Sequence, residues 1–511
     1  MSSWSCIVFA LSLIDAISTA DLSDDLKRVL NSYEHDPKCV FNYTEINSKT
    51  IKNFPKCTHV YGIININKKS DVSFKQLENI FNNVTNLFGG IIVQNSNLTS
   101  LSFFRQNFFY FDCSAYGFHI LNNSQLTNAS VLPTIYYTTK ENLDNTPKII
   151  IKNNVNLNLE NICWERSIGE LAFFKTEGNL KNCGCDGEYY SPSNRSQFES
   201  CQNVYNGLKL HNVSSSQVTN SLANVNTIRA FLDIQNTDFQ NLSFLERIKR
   251  IQANTNDTVI LNLKNNPNMT RLGFPNLEEM NLENKDVYGT EYFNFENLHP
   301  DFCITFTEFK FFLVKMIDFL KLHAKLCEVT EEEKSESAPV CYFKSMEELD
   351  NNCVYIIGDL KINAGDEDHA TKLLKVYYLF GSLEIRNTNL TDLSFFVKFR
   401  YIIHMDDSRP IIQIIGNKKL KDATLYALSR IYVREKREAI IQDNHPAIFK
   451  NRNGTCDVFA IIPNIRIIYT RRLNYIGGDC GARVEVANSS GCPIFLVVLY
   501  FFVYWLEKFQ L

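Results

Sequence analysis

Cysteines and glycosylation triplets are the residues of this sequence whose types and spacing could do chemistry. The chain holds 15 cysteines in 511 residues. Other reactive patterns are missing from it: no Gly-x-Ser-x-Gly, His-Glu-x-x-His, P-loop or Gly-x-Gly-x-x-Gly occurs. The 9 histidines are scattered. The acid pair Asp406–Asp407 precedes Pro410 in a polar stretch and reads as a solvated turn. "CGC" at 183–185 is the best metal candidate, yet no Cys-x-x-Cys or His-x-x-x-His partner accompanies it. No catalytic, cofactor-binding or metal-ligating residue is therefore expected, and the protein is not expected to be an enzyme. The thiols are left with disulfide chemistry, which needs an oxidising compartment.

The N-terminus points to one. "MSSWSCIVFALSLIDAISTA" has an apolar core from Ile7 to Ile14, then small residues at Ser18 and Ala20, so residues 1–20 are expected to be a secretory signal peptide. Its n-region lacks Lys and Arg. Removing Cys6 leaves an even 14 cysteines. Export also gives meaning to the Asn-x-Ser/Thr triplets at Asn42, Asn83, Asn97, Asn122, Asn128, Asn194, Asn212, Asn241, Asn256, Asn268, Asn389, Asn453 and Asn488. At the other end an apolar run spans Ile494–Leu506, short of the roughly 20 residues that cross a bilayer. Small polar residues precede it, "GGDCGARVEVANSS", as in a lipid-anchor signal. A GPI anchor is expected, with a short single span as the alternative; Glu507 and Lys508 count against the anchor. The net charge of −4 gives no surface for nucleic acid. The expected location is the extracellular face of the plasma membrane, with residues 491–511 as the membrane tail.

The elements that fill the chain in between are written three times. "QNSNLTSLSFF" (94–104), "QNTDFQNLSFL" (235–245) and "RNTNLTDLSFF" (386–396) are one phrase, opened by Asn95, Asn236 and Asn387. Before each stands a Cys, then a Gly and an alternating strand: "CTHVYGIININ" (57–67), "CQNVYNGLKLHN" (201–212) and "CVYIIGDLKIN" (353–363). After each comes a further strand: "FHILNNSQL" (118–126), "LNLKNNPNM" (261–269) and "IQIIGNKKL" (412–420). A finer period runs inside each copy. Ile64, Ile91 and Phe118 step by 27 and 27, Leu208, Leu232 and Leu261 by 24 and 29, and Leu360, Leu383 and Ile412 by 23 and 29. Apolar-x-apolar strands at such steps, each leading to Asn, mark a leucine-rich-repeat-like solenoid. The turn asparagines Asn95, Asn236 and Asn387 are expected to hydrogen-bond backbone groups of neighbouring coils. "LSFF" is expected as a buried corner: Leu101 with Phe103 or Phe104, Leu242 with Phe244, Leu393 with Phe395. Two amphipathic helices are expected, in "DDLKRVL" near residue 24 and "EDHATKLLKVYYL" (367–379), and a third, "FKFFLVKMIDFLKLHAKL" (309–326), between copies two and three.

The sequence of Cys, Gly and strand, then L-x-I-x-N-T-x-L-x-x-L-S-F, then an Asn-Asn strand, resembles the receptor L domain of the insulin and EGF receptor families. It is similar to nematode extracellular proteins that carry such domains without a kinase. "LNLENICWERSI" (157–168) and "HPDFCITFTEF" (299–309) resemble the family's closing segment; in copy three, "NHPAIF" (444–449) lacks the Cys and Cys456 stands in for it. The resemblance implies a mainly β fold with some helix, a right-handed β-helix of parallel sheets repeated in tandem. Where the receptors have a disulfide-dense module between two L domains, this chain has only Cys163, Cys183, Cys185 and Cys201.

The expected organisation is a signal peptide (1–20), L-type domains at 39–170, 183–327 and 341–460, an acidic linker (328–340), a C-terminal extension (461–490) and the tail (491–511). Nearness in sequence pairs Cys39 with Cys57 and Cys341 with Cys353, each capping the first coil of a solenoid. The same reasoning pairs Cys303 with Cys327 and Cys456 with Cys480. Cys163, Cys183, Cys185 and Cys201 pair among themselves in a connectivity left open. The resemblance implies a non-catalytic, receptor-like ectodomain that captures a secreted peptide or protein, insulin-like or EGF-like, as decoy, carrier or co-receptor. The alternative is a structural or adhesive glycoprotein of the extracellular matrix. The two differ in what glycans permit, because a binding sheet must be free of sugar.

Overall fold

A computed structural model describes residues 22–104, 109–138, 149–160, 162–163, 174–187, 189–218, 220–253, 259–282, 292–335, 339–405, 409–449, 458–465 and 473–485. The expected leader and tail, Cys456, Asn256, Asn453, Asn488 and Asp406–Asp407 lie outside the described residues. The chain is mainly β with few helices. It divides into two compact units, one of Met1–Ile304 with Glu308–Ala324, the other of Thr305–Thr307 with Lys325–Leu511.

In the first unit, the first repeat is one open parallel sheet. Strands His59–Ile66, Asn86–Gln94, Phe109–Leu121, Ile149–Lys152 and Phe174–Glu177 lie side by side, with Val40–Phe41 at the edge and Ile135–Thr138 beside the third. Alternation sets the faces: Val60, Ile64, Ile66, Leu87, Ile91, Val93, Phe118 and Ile120 point inward and are buried. Gly62, Gly89 and Gly117 interrupt the three long strands at φ 147°, 133° and 130°, a region that L side chains avoid. A Cβ on Gly89 would stand 2.3 Å from the Gly62 carbonyl oxygen and 2.7 Å from Val29 Cγ1. Val29 belongs to helix α1 (Leu22–Asn31), which lies on the outside of this sheet with Leu26 and Val29 against Ile63 and Ile92. Helix α2 (Phe74–Phe81) begins at a capping box made by Ser73 and Gln76, and its Leu77 and Phe81 enter the core.

The second repeat winds between two five-stranded parallel sheets. Cys185–Asp186, Asn203–Tyr205, Thr227–Arg229, Arg250–Ala253 and Glu279–Leu282 form one; Leu208–His211, Leu232–Gln235, Val259–Asn266, Tyr292–Leu298 and Asp318–Leu322 form the other. Each turn of the chain adds one strand to each sheet, and the register puts Leu208, Leu232 and Leu261 in one inward column. The second unit repeats the plan, with Leu360, Leu383 and Ile412 in the matching column. The expected helix over 309–326 ends early. Helix α3 covers Phe306–Val314, and Asp318–Leu322 is the last strand of its sheet. Phe319 is the reason, since its ring meets Phe293 at 5.7 Å and Phe295 at 5.5 Å inside the sheet's core. Residues Glu367–Lys375 form a 3-10 helix.

The corner after each Asn phrase is buried with a shift. In the first repeat Leu101, Phe103 and Phe104 are all buried, with Phe103 and Phe104 centroids 4.2 Å apart. In the other two, Leu242 pairs with Leu245 and Leu393 with Phe396, whereas Phe244 and Phe395 are half-buried. A 3-10 turn at Ser243–Leu245 and Ser394–Phe396 places its third residue, not its second, toward the core.

Candidate ligand-binding faces

The repeated asparagines hold the turns through their backbone. Asn95, Asn236 and Asn387 adopt φ 49°, 55° and 53°, where Asn is tolerated far better than most residues. Their N–H groups donate to the next coil, at Leu121, Lys264 and Ile415. The buried side-chain ladder is carried one residue further on. Asn123 accepts from the Ser96 N–H and hydroxyl at 2.9 and 2.7 Å and donates to Val93 O and Asn154 Oδ1. Asn266 accepts from Thr237, and Asn417 from Thr388, in the same way. The doublet Asn-Asn in two of the strands was the only signal for this second column.

The described cysteines are largely bridged. Cys39–Cys57, Cys163–Cys183, Cys185–Cys201 and Cys341–Cys353 are disulfides. Cys303, Cys327 and Cys480 are also disulfide-bonded. Cys113 is buried in the first repeat outside any disulfide, and its thiol donates to Thr138 O at 3.5 Å. Among the described residues no cluster of three or more His, Cys, Asp or Glu is placed to hold a metal. No described helix is long and apolar enough to cross a membrane.

The triplet asparagines sit off the sheets. Asn42, Asn83, Asn97, Asn122, Asn128, Asn212, Asn268 and Asn389 are exposed, and Asn194 and Asn241 half-buried. All ten lie in turns and loops outside the strands. The outward sides of the described strands carry no glycosylation triplet, and they differ from one repeat to the next.

On the first repeat, the half of the sheet before the glycine bend faces out with aromatic side chains. Register aligns His59, Asn86, Tyr110 and Tyr136 in one row and Tyr61, Phe88, Asp112 and Thr138 in the next. Tyr61 and Phe88 stack at 4.8 Å, Tyr110 and Tyr136 at 5.6 Å, and His59 lies 6.2 Å from Phe88. Tyr136 is 63% exposed. Tyr33, just past α1, closes one side with its ring edge-on to Phe88 at 5.5 Å and its hydroxyl donating to Asp112 at 2.9 Å. Burial, with the Asp112 carboxylate beside it, holds the Tyr33 hydroxyl well above the usual tyrosine range. Such a platform offers rigid rings that need little ordering to bind a partner. Sequence pattern alone did not single it out, although Tyr61 and Phe88 each stand directly before a glycine.

Beyond the bend α1 covers the same sheet at Ile63 and Ile92. Burial pushes Tyr116, part of that contact, up to about 12. On the third repeat the outward positions mix Lys361, Glu384 and Gln413. A groove of about 1130 Å³ opens there, lined by Arg386, Lys418, Asp443, Arg483 and Glu485 among others. Its charges are largely matched within the protein: Arg483 makes a two-pronged pair with Asp443 at 2.9 and 2.8 Å, and Arg386 donates to Gln413 at 2.7 Å.

Comparison with known proteins adds one finding. A model of the family described as Receptor L domain matches three segments, residues 56–168, 200–315 and 352–455. No curated protein matches the chain.

Proposed function

The chain belongs to the receptor L domain family, and from that membership we propose that it is a non-catalytic, receptor-like ectodomain that captures a secreted protein or peptide. The observation that carries this reading is the aromatic platform of Tyr61, Phe88, Tyr110 and Tyr136, on which no glycosylation triplet stands. Its ligand is of the insulin-like or EGF-like kind, the ligands that receptors built from such domains take, and it serves as decoy, carrier or co-receptor. The domains run over 39–170, 183–327 and 341–460, each wound as a right-handed β-helix, the hand that parallel crossovers almost always take. The protein is exported after loss of residues 1–20, glycosylated at its exposed triplets, and held at the cell surface by residues 491–511. Release by a phosphatidylinositol-specific phospholipase would identify a GPI anchor; retention would identify a single span.

The test exploits Asn86, which stands in the platform two residues before Phe88. Phe88→Thr creates a glycosylation triplet there and removes a ring. The secreted chain should retain a small peptide from a panel of secreted hormones, and the Phe88→Thr chain should lose it by at least tenfold. Retention by both, or by neither, overturns the proposal; self-association or binding to matrix glycoproteins alone would favour the adhesive reading.

A further inference from the structure

The second repeat carries on its larger sheet a surface that neither stacking nor the aromatic platform explains. Register puts Lys209, Asp233, Asn262 and Asn294 in one outward row, and His211, Gln235, Lys264 and Glu296 in the row beside it. The equivalent positions of the first repeat are Asn65, Ile92, His119 and Ile150, then Asn67, Gln94, Leu121 and Lys152, a mixed surface in which Ile92 packs against α1. Those of the third mix polar residues with Ile415 and Ile440. Inward Leu208, Leu210, Leu232, Ile234, Leu261 and Leu263 already supply the core, so the outward polar rows are free to serve binding.

These polar groups are fixed in position by one another. Asp233 accepts from His211 Nε2 at 2.8 Å, from Gln235 Nε2 at 2.9 Å and from Asn262 Nδ2 at 2.8 Å. Asn262 in turn accepts from Asn294 Nδ2 at 2.9 Å, and Lys264 pairs with Glu296 at 3.1 Å. At one end of the rows stands Tyr189, 56% exposed, with Lys209 Nζ 4.5 Å from its ring centre and the His211 ring edge-on at 6.0 Å.

We propose that this face binds a neutral oligosaccharide. Planar amides and carboxylates with spare donors and acceptors match vicinal hydroxyls, and a held array forfeits little side-chain freedom on binding. The ring of Tyr189 offers a flat apolar surface to the C–H side of a pyranose. Rungs recur at the inter-strand distance of about 4.8 Å, close to the length of one hexose in a chain. An apolar hormone surface would leave these polar groups buried and unmatched. Sulfated or uronic acid chains are disfavoured because the cations Lys209 and Lys264 are balanced on the face by the anions Asp233 and Glu296.

One triplet asparagine, Asn212, follows His211 directly, so the protein's own glycan could screen the face. The test therefore uses the full secreted chain and its Asn212→Gln variant. High-mannose N-glycan oligosaccharide and heparin are the probes, and saturation-transfer NMR is the readout. The oligosaccharide should bind one or both proteins with transfer to its ring protons. Tyr189→Ala and Asp233→Ala should each weaken that binding at least tenfold, with the thermal unfolding of Tyr189→Ala unchanged. Phe88→Thr should leave it intact, so failure of the hormone reading and failure of this one are separable. No transfer to the oligosaccharide in either protein, preference for heparin, or undiminished binding by Tyr189→Ala would overturn the proposal.

Discussion

Asn417 is fully buried, and its side chain joins two coils through four hydrogen bonds: it accepts from the Thr388 N–H and hydroxyl and donates to Ile385 O and Asn444 Oδ1. Replacing it with Ala strands donors and an acceptor inside the core, each costing roughly 1–3 kcal/mol. Asn417→Ala should therefore lower the stability of its unit by on the order of 3 kcal/mol in chemical denaturation. Asn387→Ala keeps that ladder and forfeits only the residue's tolerance of positive φ, so about 1–2 kcal/mol is expected. A reversed order would show that the turn, not the ladder, holds the coils. Asp359 makes a pH prediction. Burial alone would raise its carboxyl, but the Ser382 N–H and hydroxyl, then Arg409, hold it below the usual carboxylate range. A carboxyl lowered by folding stabilises the protein above its unfolded value and ceases to do so as acid protonates it. Wild type and Asp359→Asn should differ in melting temperature at neutral pH and converge as pH falls below about 3.9. A constant difference down to strong acid would exclude ionisation as the cause.

At the scale of elements, the glycine column and α1 depend on one another. Gly89→Ala demands room between the Gly62 carbonyl and Val29 and meets an unfavourable φ as well. It should cost on the order of 2–3 kcal/mol and strip hydrogen-exchange protection from Leu22–Asn31 before the strands lose theirs. Unchanged protection of that helix would refute the coupling. The strands were legible because period-two alternation and the recurring Asn phrase both report geometry that a single chain segment imposes on itself. The first two columns, Leu208 with Leu232 and Leu360 with Leu383, stand at the spacing read from the sequence. What was not legible depends on neighbours distant in sequence. The segment 318–322 has a helical pattern of apolar residues, yet the vacant edge beside Tyr292–Leu298 takes it as a strand. Asn123 and Asn417 look like ordinary turn residues until the coil above supplies Ser96 or Thr388. The aromatic platform was hidden for a different reason: its rings come from four strands, each contributing one or two, and only register assembles them.

For the whole molecule, two compact units and three matched segments mean that damage in one place should be local. Cys341–Cys353 closes a loop with sequence separation 12 at the first coil of the third repeat. A paired Cys341→Ser, Cys353→Ser variant should lower stability by about 3 kcal/mol, and limited proteolysis should cut it first within 339–405. Cleavage beginning in 59–121 instead would contradict this. The same modular winding bears on how the protein is made. Each strand hydrogen-bonds to strands only one turn before or after it, so no contact within a sheet waits for residues far downstream. A nascent chain can thus lay down each turn on the last as it leaves the ribosome, and the hazard of exposed edges is confined to the newest one. Folding of this molecule can then keep pace with synthesis, and a stalled chain would end in an open sheet that awaits its next strand.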